Sequence, residues 1–76
     1  MAEITFKIVE HCCVIEHREP AWNTELNIVS WNNGEPKYDI RQWNPEHTKC
    51  GKGITMDING LKALVAYCEE ARIHEI

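Results

Sequence analysis

Between Ile4 and Val9 the chain alternates: Ile4, Phe6 and Ile8 fall to one side, Thr5, Lys7 and Val9 to the other. A period of two is that of a strand, and the β-branched and aromatic content from Ile4 to Ile15 supports one there. The spacing changes around His11 to Cys13, as it would at a bulge or bend, and Arg18 to Ala21, with Pro20, reads as a turn. Alternation resumes from Leu26 to Trp31, where Leu26 and Ile28 share one face and Asn27, Val29 and Trp31 the other. Asn32, Asn33 and Gly34 then supply side chains that tolerate positive φ, which predicts a hairpin. Lys37 to Trp43 forms a third strand, with Tyr38 and Ile40 on the apolar face and Lys37, Asp39, Arg41 and Trp43 opposite. Asn44 to Gly51 is a polar loop, and Gly53 to Met56 a short fourth strand. Beyond Asp57, a helix N-cap, the period lengthens: Ile58, Leu61, Leu64, Val65, Cys68 and Ala71 recur at three and four. Lys62, Glu69, Glu70 and Arg72 point outward on that helix. Gly60 costs about 1 kcal/mol relative to Ala, so the helix is firmest from Leu61 onward.

The order β-β-β-β-α describes an α+β fold: a four-stranded antiparallel sheet with one C-terminal helix laid across one face. The chain is short enough that residues 1–76 make a single domain, and a domain of this size buries only about 60% of its unfolded surface, so a second copy would help. No apolar run reaches the roughly 20 residues that cross a bilayer, and Glu3 and Lys7 interrupt what would be a secretory signal. A cytoplasmic protein, nucleoid-associated if bacterial, with reduced cysteines is the expectation. Cys12, Cys13 and Cys68 read as small buried hydrophobes, and His11, His17, His47 and His74 as surface or loop imidazoles.

The face opposite the helix carries Trp31, Trp43, Lys37, Arg41, Asn27 and Val29, too aromatic and basic for a bland solvated surface. The net charge of −4 is unevenly spread: Lys37 to Lys52 sums to +2, leaving −6 elsewhere. A local basic strip attracts a polyanion at short range, since salt screens beyond about 8–10 Å. Single strands are held by rings on which bases stack and by cations along the phosphates. Trp31 and Trp43 suit stacking, with Trp22 as a further aromatic that could equally close the core edge. Arg41, Lys37, Lys49 and Lys52 suit phosphates, and Gly51 and Gly53 let the backbone near Lys52 approach one closely. Arg41 has an alternative, an ion pair with Asp39 or a cross-strand Glu. Three rival functions have weaker signals. His11, Cys12, Cys13 and His17 lack converging zinc spacing; Cys50 near His47 has no third group to orient a catalytic pair; the tryptophan face could instead dock a protein. No enzyme activity, cofactor or metal is expected.

Trp22, Glu25-Leu26-Asn27, Val29-Ser30-Trp31-Asn32, Pro36 to Arg41, Trp43, Pro45, His47 and Gly51-Lys52-Gly53-Ile54-Thr55 form a specific string. It resembles the positive cofactor four family of single-stranded-DNA-binding transcriptional coactivators, and most closely their YdbC-like bacterial branch. The resemblance implies a homodimer joined largely through the helices, with each sheet forming a groove for single-stranded DNA. It implies stacking roles for Trp31 and Trp43, and phosphate roles for Arg41 and Lys52, with Lys37 in addition. Stacking and phosphate contacts leave single-stranded RNA open as a ligand. The chain departs from the coactivators in spacing Arg41 and Trp43 one residue closer, and in having Asn32, Asn33 and Glu35 where they are more basic. Weaker affinity, or a stronger salt penalty, is what these departures imply.

Overall fold

The computed structural model describes residues 4–18 and 20–70. Four strands, β1 (Phe6–Arg18), β2 (Trp22–Trp31), β3 (Lys37–Trp43) and β4 (Cys50–Met56), precede one helix, α1 (Ile58–Glu70). The strands form one antiparallel meander in chain order. Ala71, Arg72 and His74, given places in the helix pattern or at the surface above, lie outside the described residues, as does Glu3.

The turn chemistry is as the sequence predicts. Asn32 and Asn33 adopt φ of 50° and 61°, and the Gly34 amide donates to the Trp31 carbonyl at 2.8 Å, closing a tight turn at the end of β2. The Asp57 carboxylate accepts from the Gly60 amide at 3.0 Å, the N-cap bond to the third residue of α1. Gly60 sits inside the helix without interrupting it, and a Cβ there would come within 3.2 Å of the Met56 Cβ.

Strand bounds differ where pairing partners, rather than local alternation, decide them. β1 runs three residues past Ile15 because Glu16, His17 and Arg18 pair with Thr24, Asn23 and Trp22, and it departs from strict alternation three times. Register shifts lie between Ile8 and Glu10, His11 and Cys13, and Val14 and Glu16, each inserting one residue opposite a regular β2. Each insertion bends the strand and increases its twist. β2 begins four residues before Leu26, at Trp22, carried by its pairing with β1. β4 begins at Cys50 because Cys50 pairs with Trp43 across a further shift.

The core is on the unexpected side. Among the described residues, Val29 and Trp43 are the fully buried hydrophobic ones, and with them lie Glu25, Asn27 and Asp39, all on the face predicted to be bare. The helix face is the thinner one: α1 meets only β3 and β4, and none of its described residues is buried. The expectation of a helix laid across the sheet is corrected accordingly. Only Asp57 separates α1 from β4, so the helix leaves from the sheet edge, with Leu64, Val65 and Tyr67 about half exposed. Cys13 and Cys68 are exposed and Cys12 half-buried, not core residues; all four thiols are free. Burial, aided by Glu10 and Cys13, pushes the Cys12 thiol up, which keeps it protonated and unreactive. No described helix is long and apolar enough to cross a membrane.

Candidate nucleic-acid interface

The pairing register assembles the site. Phe6 of β1 faces Trp31 of β2, Glu25 faces Arg41 of β3, Asn27 faces Asp39, and Gly53 and Thr55 of β4 face Arg41 and Asp39. Directly paired residues share a sheet face, so these side chains converge. The two indoles are nearly parallel, 15° apart in plane with centroids 6.4 Å apart, and Phe6 tilts against both at 5.7 and 5.0 Å. Trp31 keeps part of its surface open. Trp43 does not: Phe6, Trp31 and His47 close over it, so it supports its neighbours and is not itself an open stacking platform. The sequence predicts both rings to project into solvent; the bent β1 and the β3–β4 loop bring cover that alternation along a single strand cannot reveal. Both indole N–H groups are buried with no acceptor.

Arg41 is committed. Its Nε and Nη2 donate to the two oxygens of the fully buried Asp39 at 2.6 and 2.8 Å, and Nη1 donates to the Gly51 carbonyl at 3.3 Å. The Thr55 hydroxyl completes Asp39 at 2.9 Å. The hydrogen bonds that it donates to Asp39 hold the guanidinium above its ordinary basicity, against the pull of burial. Its carbon lies 4.6 Å from the centroid of the Trp31 ring, a cation–π contact. Of the two roles open to Arg41, the structure shows the pairing with Asp39. Gly53 is required here, since a Cβ at that position would collide with the Arg41 Cβ and the Ile40 carbonyl. A shallow cavity of about 280 Å³ opens beside the pair, lined by Ile4, Trp31, Asn32, Arg41 and Thr55.

The remaining predicted site residues divide. Lys49 and Lys52 are exposed on the loop and β4. Lys37 is exposed too, but borders a separate hollow with Tyr38, Asp57 and Ile58. Asn27 is fully buried and hydrogen-bonded to Glu25 and His11, which removes it as a direct contact. Trp22 falls on the opposite face, since residues of one parity along β2 share a side and Trp31 has the other parity. It is not brought to the site.

Two features escape a reading of the chain alone. Asn44, nearly buried, ties the β3–β4 loop: its Oδ1 accepts from the Thr48 and Lys49 amides, both at 2.9 Å, and its Nδ2 donates to Thr48 Oγ1 at 2.8 Å. That loop sets His47 at φ 57° against Trp43, with ring centroids 5.8 Å apart. His47 and His11 bracket the buried Glu25. Separations of 14 and 22 residues from Glu25 gave no local signal; the β1–β2 register and the loop geometry bring them together. Among the described residues, no group of three or more His, Cys, Asp or Glu is arranged to hold a metal ion.

Residues 19–67 match the family described as Transcriptional Coactivator p15 (PC4). A similar protein, an uncharacterized protein of Treponema pallidum (strain Nichols), is 51% identical over 35 residues, or 46% of this chain. The match spans 41% of that relative's length.

Proposed function

Since the chain belongs to the transcriptional coactivator p15 family, a non-catalytic family whose membership implies single-stranded DNA binding, we propose that it holds the strand at Trp31 without reading its sequence. The observation that carries this is the Trp31–Arg41 stack beside an open cavity, on the sheet face that α1 does not touch. A base stacks on the part of Trp31 left open. Arg41, neutralised by Asp39, fixes the plane of the indole and offers its remaining guanidinium edge. Lys49 and Lys52 meet phosphates as point charges, and Lys37 adds to the field from the neighbouring hollow. None of these groups reads a base edge in the manner of a groove-binding helix, which fits a sequence-tolerant binder.

The protein acts in the cytoplasm as a homodimer. Its core of Val29 and Trp43 is small, and Ile54, Ile58, Leu64, Val65 and Tyr67 are exposed along β4 and α1, a surface suited to a second copy. A transcriptional or DNA-maintenance role follows from the binding.

Titration with a thymine oligonucleotide at increasing salt tests the reading. With Arg41 neutralised, three lysines remain, so the log–log slope of affinity against salt is expected near −2, from about −0.7 per phosphate contact. Tryptophan fluorescence should quench on binding. A salt-independent interaction would instead mark the aromatic face as a protein-docking surface, and no quenching at low salt would overturn the proposal.

A further inference from the structure

We propose that His11 and His47 form a second phosphate seat on the same face, one that takes up protons together with the anion. The inference rests on the single-stranded DNA reading and extends it from the tryptophans along the sheet. The ring centroids of Trp31, Trp43, His47 and His11 follow one another at 6.4, 5.8 and 6.4 Å, so the seat lies on the same face as Trp31, across the covered Trp43 ring.

Its chemistry is set by Glu25, 3% exposed between the two imidazoles. His47 Nε2 lies 2.9 and 3.0 Å from the two carboxylate oxygens, so it carries a hydrogen and donates. Asn27 donates its amide to Glu25 at 3.1 Å, which turns its oxygen toward His11; Nδ1 of His11, at 2.7 Å, must therefore also donate. Each neutral ring has thus committed its one hydrogen inward. The other nitrogen, Nδ1 of His47 and Nε2 of His11, is a lone-pair acceptor that cannot bond a phosphate oxygen. Protonation makes both into donors, on side chains that are 38% and 48% exposed.

Charge gives the same answer. With both imidazoles neutral the cluster carries the single negative charge of Glu25 and repels a phosphate; with both protonated it carries a net positive charge. Asp39 of β3 is neutralised by Arg41 and β4 contributes the uncharged Thr55; Glu46, next to His47 in the loop, opposes the seat, since it keeps its negative charge while accepting from the neutral Asn44 amide at 3.2 Å, but it is exposed and screened by solvent. His17, the next histidine of β1, bonds Asn23 of β2 at 2.6 Å. The two ring centroids are 6.4 Å apart, in an edge-to-face arrangement.

The sign of the pH dependence follows. A bound phosphate favours the charged imidazoles, so they are more basic in the complex than in the unbound protein. Affinity is then gained as pH falls and lost as pH rises. The slope of log affinity against pH counts the protons taken up.

The test is oligothymidine binding from about pH 5.5 to 8.5 at fixed ionic strength, by the wild type, His11→Gln, His47→Gln and the double variant. Wild-type affinity should fall roughly tenfold or more from pH 5.5 to 8.5, by up to tenfold per pH unit for each proton taken up. His11→Gln should lose part of that slope and the double variant nearly all of it. Gln at position 47 must adopt the left-handed backbone; if that variant fails to fold by circular dichroism, His11→Gln on its regular strand decides. A flat wild-type profile, or a wild-type slope in His11→Gln, overturns the inference while binding itself persists. A wild type that binds no oligonucleotide at any pH fails the parent reading, and the inference falls with it.

Discussion

Arg41 shows how a residue can be right in position and different in role. Its place opposite Gly53 on the tryptophan face is legible from alternation in β3, and the sequence offers both a phosphate and Asp39 as partners. The decision lies in burial: a carboxylate with no exposure needs a cation, and the bidentate fork of Arg41 satisfies it. Arg41→Gln is expected to destabilise the fold by about 3 kcal/mol or more, because it strands Asp39 as an uncompensated buried charge. Urea denaturation checks this, and a loss of only a few tenths would mean that Asp39 finds water instead. Trp43 carries the matching lesson. The alternation of β3 gives its face, but only the register of Phe6 and the left-handed placement of His47 give its burial.

At the level of elements, the meander and the helix are readable because their signals are local. Alternation, the Asn-Asn turn and the Asp57 cap each need only a few neighbouring residues. Asp57→Ala should cost the helix about 1 kcal/mol by removing the acceptor of the Gly60 amide, read as a lower thermal midpoint with the helical signal fraying first. An unchanged midpoint would show that another group caps the helix. Of the three insertions in β1, at Val9, Cys12 and Ile15, the changed spacing around His11 to Cys13 marks the second; local signals miss the other two, and each insertion shifts the parity of the residues that follow. A strand of strict alternation would place His11 by counting from Phe6. The bulged one places it by pairing with Asn27, and so brings it to Glu25.

For the whole molecule, the division of the sheet into an aromatic, polar face and an aliphatic face is legible, but which of them the chain buries is not. That depends on the coil of β1 and on where α1 leaves the sheet, both set by long-range geometry. The outcome is a chain with its polar ladder covered and much of its aliphatic surface open, as a subunit awaiting its partner would have. Sedimentation or light scattering should give twice the 8.8 kDa chain mass. Leu64→Glu, which places a charge on the exposed apolar side of α1, should shift the protein to monomer and lower its stability; a wild-type monomer would remove the dimer from the account.

The central claim is that a single-stranded nucleic acid rests on the open part of Trp31. Binding of a labelled oligothymidine at low salt by the wild type and by Trp31→Ala measures it most directly. A base stacked on that ring is worth about 1–3 kcal/mol, so the substitution should weaken binding by roughly five- to a hundredfold or more. Equal affinity in the two proteins, with Trp31→Ala folded as the wild type is, would contradict it.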